Sequence, residues 1–321
     1  MRRIVVCTET SWGMDPFDNI ENYSKKRVLQ AYSELFKTSL KQDVKMYKSN
    51  LIWYDKKKDQ FTKGWSYSKK RGWIQEFNIS FDSIWDKCPF TKEFIPFKKI
   101  FYKKGNILNH EFIERVASDK KITKEFLSDF MPRDYIINSK KDFIIYISQI
   151  RTNKFVLKPT IGSSAKGVVI LNKGKYNLND LDFSKQMLLQ EYVQCRKNLF
   201  DFPYGVFDYR IIFNGYKIID AFYRISREGV LTSNVSTGGR SINIPLGKIT
   251  PKVNNLVKKI DNKLGVKKPR LYTLDFIVDE NNNYWLIEIN AKPGFTHFKK
   301  NEYWRRSYFE KGVIEVLKKL K

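Results

Sequence analysis

Cysteine and histidine are scarce in this sequence, which has three cysteines (Cys7, Cys88, Cys195) and two histidines (His110, His297) among 321 residues. The cysteines are far apart and form no CxxC pair, so a zinc centre of ordinary spacing is not encoded, and the thiols are expected to be reduced and mostly buried. The same scarcity argues against a Ser-His or Cys-His nucleophilic triad. Long apolar runs are also missing. None approaches the roughly 20 residues that a bilayer span requires. The opening Met1-Arg2-Arg3-Ile4-Val5-Val6-Cys7 reaches Glu9 too soon for the core of a signal peptide. A chain without a membrane span, resident in the cytoplasm, is the expectation.

Acid is in short supply as well: 34 Asp and Glu stand against 60 Lys and Arg, a net charge of +26. Such a field draws anions. The basic residues come as scattered doublets and triplets, such as Lys56-Lys57-Lys58, Lys103-Lys104 and Lys318-Lys319, and not as one block or helix stripe. A solvated surface accounts for that scatter, and an anionic substrate or partner is the functional alternative. No RRM, KH or helix-turn-helix signature accompanies the charge, so no specific nucleic acid is expected.

The composition is ample for a core, with 42% hydrophobic and 15% aromatic residues, and the length suits two or three lobes. Arg3 to Cys7 reads as a buried strand. Val28, Leu29, Tyr32, Leu35 and Phe36 come next at helical spacing, an opening β-loop-α unit. Short aromatic strands continue to residue 97. One or two helices then carry Phe112, Val116, Ile122, Phe126, Leu127 and Phe130 and stop at Met131-Pro132. Further short strands run to Asn290. Phe309, Val313, Val316, Leu317 and Leu320 mark a closing amphipathic helix.

The strongest chemical signal lies in 272–290, where two alternating strands flank the turn Glu280-Asn281-Asn282-Asn283. With that run as the loop, Asp279 pairs with Tyr284 and Asp275 falls opposite Glu288. Asn290 shares the face of Glu288, because side chains alternate with period two. Leu274, Phe276, Ile287 and Ile289 are expected on the opposite, core face. Two opposed carboxylates repel, and a hard divalent cation such as Mg²⁺ relieves that repulsion while taking oxygen donors. Upstream, Phe155-Val156-Leu157-Lys158-Pro159 is a strand ending in a lysine. Thr160-Ile161-Gly162-Ser163-Ser164-Ala165-Lys166-Gly167 comes after it, then the strand Val168-Val169-Ile170-Leu171. A small-residue loop between strands can fold over phosphates, yet a plain hairpin looks alike. It is not a P-loop, lacking the GxxxxGK[ST] order.

The order of the downstream segments gives the loop its meaning: Gln190-Glu191-Tyr192-Val193, then Asp208 and Arg210 in an apolar strand, then Arg224, then Ser233-Asn234 before Gly238-Gly239. This succession resembles the ATP-grasp superfamily, an α/β fold of three lobes behind an N-terminal pre-ATP-grasp α/β domain. Glu288-Ile289-Asn290-Ala291-Lys292-Pro293 is similar to the ending of the spore-coat-associated YheC/YheD type, and Pro293-Gly294-Phe295-Thr296 to D-alanine ligase-like and peptide-ligase endings.

The resemblance implies a role for each segment. Lys158 contacts ATP phosphates. Residues 162–167, including Gly162, Ser163, Ser164, Lys166 and Gly167, cover them, with a surface place the other reading of Lys166. Gln190, Glu191, Tyr192 and Val193 hold adenine through backbone hydrogen bonds, and Asp208 joins the nucleotide site. Arg210 and Arg224 steady the transferring group. Asn234 either meets substrate or caps a turn. Asp275, Glu288 and Asn290 bind Mg²⁺, two ions being expected and Mn²⁺ able to substitute.

The implied lobes are 1–108, a helical connector 109–138, a lid 139–193 and a catalytic lobe 194–321. The implied activity joins a small-molecule or peptide carboxylate, activated by ATP, to an amine through an acyl phosphate, with a homodimer conceivable. A kinase of the same fold and a nucleotide-binding coat or scaffold protein are the alternatives. His297 and Cys195, without an evident partner, read as structural.

Overall fold

The computed structural model describes residues 1–9, 23–162, 165–196, 206–226, 240–295, 297–298 and 301–320, with the backbone alone for 23–26. Arg2–Cys7 forms β1, in which Ile4, Val5, Val6 and Cys7 are all fully buried. A strand apolar on both faces belongs inside a parallel sheet covered on both sides. After it come α1 (Tyr23–Leu40), β2 (Val44–Ser49), β3 (Tyr54–Asp55), β4 (Gln60–Ser68), β5 (Gly72–Ile79), β6 (Ser83–Asp86), α2 (Ile95–Lys104) and β7 (Ile107–Leu108). The strands join in the order β3-β4-β2-β1-β6-β7, with β5 added on β4. β1 runs parallel to both of its neighbours. Ile4 and Val6 pack with Tyr32, Leu35 and Phe36 of α1, while Val5 and Cys7 enter the opposite core beside Phe61, Phe94 and Phe101.

Two short helices lead out of this sheet. In α3 (Glu111–Ser118) the His110 side chain caps the first turn, and in α4 (Lys120–Leu127) Asp119 accepts the backbone N–H of Lys121. A side-chain acceptor at that position satisfies one of the first-turn N–H groups of a helix. The chain then enters a four-stranded antiparallel sheet, β8 (Asp134–Ile137), β9 (Lys154–Pro159), β10 (Val169–Asn172) and β11 (Met187–Glu191), in the order β10-β9-β11-β8, with α5 (Lys140–Ile147) on one face. The sheet therefore starts at Asp134, five residues ahead of the expected lid boundary. Phe155 and Leu157 join Phe143 of α5 in its core. Val156 and Lys158, which alternate with them, point to the other face.

The third sheet comprises β12 (Phe207–Phe213), β13 (Ile218–Ile225), β14 (Arg240–Asn243), β15 (Tyr272–Val278) and β16 (Tyr284–Asn290), all antiparallel in the order β14-β13-β12-β15-β16. Between β14 and β15 runs α6 (Pro251–Leu264), capped by Thr250, opened by a proline and closed by Gly265 in the left-handed conformation. It lays Val253, Val257, Ile260 and Leu264 on one face of the sheet, in a core shared with α3 and α4. The closing helix α7 (Tyr303–Lys318) buries Phe309, Val313, Val316 and Leu317 in the same core as α1. Its Gly312 lies so near β13 that a Cβ there would stand 2.6 Å from Ile219 Cγ2.

The β15–β16 hairpin departs from the expected count in an instructive way. Val278, not Asp279, pairs with Tyr284, so the turn is one residue longer. An irregularity between Asp275 and Phe276 then takes up one residue of β16 and restores the expected pair Asp275↔Glu288. A bulge of this kind turns the strand's remaining side chains over. Leu286 is the fully buried core residue in place of Ile287, and Ile287 faces the open side with Ile277. No described helix is long and apolar enough to cross a membrane.

Candidate active site

Between the four-stranded and five-stranded sheets lies a cavity of about 350 Å³. Lys158, Gly162, Lys166, Gln190, Glu191, Tyr192, Val193, Asp208, Arg210, Arg224, Asp275, Glu288 and Asn290 all line it. Gly167 stands just outside, in a left-handed conformation (φ +73) where a Cβ would press on Pro159 at 3.0 Å, which is why glycine suits the position. Ser163, Ser164 and Asn234 lie outside the described residues.

One wall is apolar. Val156 and Ile170 come from the smaller sheet, with Val168 just ahead of β10, and Ile277 and Ile287 from the larger, with Val206 just ahead of β12. Two sheets facing one another with branched aliphatic side chains leave a flat slot suited to a planar ring. At its edge the Glu191 N–H donates to Arg133 O (2.9 Å) and the Tyr192 N–H to Lys154 O (3.3 Å). The Val193 N–H has no backbone partner among the described residues.

The other wall is charged. Lys158 is 5% exposed and forms no ion pair among the described residues, although the Glu288 and Asp134 carboxylates are near enough to act on it; its Nζ donates to Gln190 Oε1 (2.9 Å) and, more loosely, to Ile287 O (3.5 Å) across the cleft. Burial, aided by the nearby Lys120 charge, pulls its pKa down to about 8. Gln190, expected to meet adenine through its backbone, spends its side chain on this lysine and on Asp134 (3.4 Å). Asp134 in turn takes the Lys124 ammonium. The Glu191 carboxylate accepts the Arg151 N–H (2.9 Å).

Lys120 enters unannounced by the sequence pattern. It stands in the first turn of α4, yet its N–H donates to Thr160 O (2.9 Å) and its Nζ to Gly162 O (3.1 Å), the two ends of the glycine loop's first half. Burial lowers its pKa, against the pull of Glu288 and Asp119. Only the fold brings it beside Lys158, since 38 residues of sequence separate them.

On the floor, Arg210 grips Asp275 in a two-pronged pair (2.7 and 2.5 Å). Arg224 grips Asp208 likewise and adds a bond to Asp275 (2.7 Å). The strand register produces this array, because Asp208↔Arg224 and Arg210↔Asp275 are direct cross-strand partners. Burial would raise the Asp275 carboxyl, but Arg210 and Arg224 outweigh it and hold the pKa below the usual value. Glu288 differs. Among the described residues it accepts no hydrogen bond and forms no ion pair. Asn290 Oδ1 accepts the Lys292 N–H (2.8 Å), which fixes the carboxamide.

The donor set of Asp275, Glu288 and Asn290 suits a hard cation, being all oxygen, with the Glu288 carboxylate not bonded to any described residue. Among the described residues no group of three or more His, Cys, Asp or Glu side chains is placed to hold a metal ion, so this set rests on two carboxylates and the Asn290 amide. His297, read as structural and without an evident partner, in fact bonds Asp220 Oδ2 (2.8 Å) and stacks on Phe222 (centroids 4.4 Å apart), and Arg305 completes the group on Asp220. Cys195 is buried, its thiol on Phe207 O (3.5 Å).

Known proteins place this geometry. Residues 117–303, more than half the chain, match the RimK-like ATP-grasp domain. A human protein, N-acetylaspartylglutamate synthase A, is 26% identical over 174 residues, 52% of this chain and 41% of the synthase. The chain thus spans less than half the length of that curated relative. Among solved structures, the RiPP-associated ATP-grasp ligase of Chryseobacterium gregarium, in complex with ADP and a leader and core peptide, superposes with a TM-score of 0.62 at 14% identity, covering 98% of this chain and 97% of that one. D-alanyl-alanine synthetase A of Vibrio cholerae gives 0.60 at 13% identity over 99% and 97%. At such identities the likeness speaks for the fold.

Proposed function

Because the chain belongs to the RimK-like ATP-grasp family, we propose that it is an ATP-dependent ligase that joins a carboxylate to an amine through an acyl phosphate. The observation that carries this reading is the convergence in one cleft of unpaired lysines from one side and the Arg210–Asp275–Arg224 array from the other. The apolar slot receives adenine, with the Val193 N–H free to bond the ring edge. Lys158 and Lys120 hold the phosphates, and Gln190 keeps Lys158 in place. Asp275, Glu288 and Asn290 would hold Mg²⁺, which when bound supplies positive charge next to the phosphates. We take two ions, replaceable by Mn²⁺, as the working expectation.

In the reaction so read, a carboxylate oxygen attacks the γ-phosphorus and ADP leaves. The amine then attacks the acyl carbon, the C–N bond forms, the C–O bond to phosphate breaks, and the amine gives up a proton. The protein makes no covalent bond, in keeping with its few histidines. Its part is to position groups and offset charge. Arg210 and Arg224 face the developing charge from the floor of the cleft while Asp208 and Asp275 hold their guanidinium planes still. The names of similar proteins favour amino acids or peptides as substrates, and the net charge of +26 favours anionic ones. The YheC/YheD likeness of the Glu288 to Pro293 phrase, a cytoplasmic setting and a homodimer belong to the same reading.

The test is ADP release from pooled carboxylates and amines. ADP that forms only when both classes are present supports the ligase. ADP formed with a carboxylate alone, accompanied by a stable phosphorylated product, would make the chain a kinase, and none in any pool would leave a nucleotide-binding scaffold.

A further inference from the structure

Lys87 stands directly after β6, at the carboxyl edge of the N-terminal sheet. Its N–H donates to Cys7 O (2.8 Å), the last residue of β1. The chain goes from β1 to β2 on one side and later returns to β6 on the other, so the gap between β1 and β6 is where strand order reverses. Crevices at such reversals, beyond the carboxyl ends of parallel strands, are where open α/β sheets receive ligands.

The surroundings of Lys87 describe the ligand. Its ammonium lies over the rings of Trp85 (5.0 Å) and Phe295 (5.5 Å) and donates to Pro293 O (2.5 Å). No described carboxylate pairs with it, and two of its three N–H bonds have no acceptor among the described residues. The neighbouring lysines are different. Lys292 bonds Asp86 (3.1 Å) and Glu114 (2.7 Å), and Lys98 bonds the same two acids (2.5 and 3.0 Å). Both acids of this pocket are therefore shared between those two lysines, and Lys87 is left over. Burial, then the Lys292 charge, bring its pKa down to about 7. The side chain is half-buried, so a ligand can reach it, and at Gly294 a Cβ would meet nothing within 4 Å, which leaves room along the same turn.

Resting on the ligase reading above, we propose that Lys87 receives a free carboxylate of the amine substrate, which makes that substrate an amino acid or a peptide presenting a carboxylate near its reacting amine. The activated carboxylate must sit beside the transferring phosphoryl group, between Lys158 and Arg210. Lys87 belongs to a different sheet, on the far side of the turn that leaves Asn290. Pro293 is three positions beyond Asn290, at most about 11 Å along the chain, so the two regions are neighbours across that turn. An anion there would also ease the repulsion between Lys87 and Lys292, which Asp86, bonded to Lys292 and not to Lys87, offsets only in part.

Two measurements test this. The first needs no turnover: with Mg²⁺ and ADP present, the protein is treated briefly with acetic anhydride and Lys87 acetylation is read by mass spectrometry, with pooled L-amino acids or with the same pool as carboxamides. Acetylation of Lys87 should fall with the free acids and not with the amides. Equal labelling in all conditions overturns the assignment. The second uses whichever pair supports ADP release. Lys87→Met should raise KM for the amine about tenfold or more, the worth of one lost charge-assisted bond, with KM for ATP unchanged and Lys87→Arg restoring most of the loss. A Lys87→Met effect on the acid substrate or on ATP in place of the amine would overturn it. If no pool yields ADP, the ligase reading fails while the labelling result still decides whether Lys87 binds carboxylate.

Discussion

Two sets of buried charge in this molecule invite comparison. At the junction of β6, α2, α3 and the turn after β16, Lys98 and Lys292 share Asp86 and Glu114, with every group bonded. In the cleft, Lys158 bonds an amide oxygen, and Glu288, near enough to Lys158, Lys120 and Arg224 to act on their charge, is bonded to none of them among the described residues. Burying an ion costs several kcal/mol unless an opposite charge and hydrogen bonds offset it. The first set meets that cost internally and so belongs to the architecture. The second does so only at longer range, and charges without a bonded counter-charge in a concave site mark where ligands of opposite sign are to arrive.

Breaking the compensated set should have the largest effect. Lys98→Met leaves Asp86 and Glu114 to one lysine, and we expect a loss of about 3 to 5 kcal/mol in urea unfolding. Glu288→Gln should do the reverse: unfolding should be little changed without Mg²⁺, or slightly favourable to the fold, while ADP release at saturating Mg²⁺ drops on the order of a hundredfold or more. A variant that unfolds, or turns over like the parent, would place Glu288 among the structural charges. Lys158→Met should weaken ADP binding by about tenfold to a hundredfold, the worth of a charge-assisted bond, with melting temperature held or raised. Equal loss of stability in Lys158→Met and Lys98→Met would erase the distinction between the two sets.

The smallest effect is a pH dependence. The Lys158 pKa is depressed to about 8 in the folded chain, below its ordinary value of 10.5, so between those values the unfolded chain binds more protons. Stability of the empty protein should therefore rise with pH across that window on this group's account. Nucleotide affinity should fall over the same window, because bound phosphate requires the charged lysine. Titrating ADP affinity and urea stability from pH 7 to 10 checks both signs.

The sequence made part of this legible. Period-two alternation pointed to the pairing of Asp275 with Glu288, which the structure reaches through a longer turn and a compensating bulge. Helical spacing located α1 and α7, because that pattern is local. What stayed hidden depends on distant pairing. Lys120 reaches the glycine loop only because α4 docks beside β9. Arg210 and Arg224 were expected to face a ligand, and the sequence held no sign that β12 would lie between β13 and β15 and so join them to Asp208 and Asp275. The bulge that exchanged Ile287 for Leu286 in the core is a one-residue event, and both residues are apolar, so no pattern distinguishes them. His297 and Asp220 are 77 residues apart. Lys87 directly follows β6, and no motif among the short aromatic strands around it marked a site.

The measurement that bears most directly on the distinction between compensated and uncompensated charge is calorimetric titration of the protein with Mg²⁺ and ADP at pH 8.5, in two buffers of different ionisation enthalpy. Above its folded pKa, Lys158 must take up a proton to meet the phosphates, so binding should draw protons from the buffer, and Lys158→Met should cut that uptake to what Lys120 contributes while Lys98→Arg leaves it intact. Binding without proton uptake, or uptake undiminished in Lys158→Met, would contradict the account.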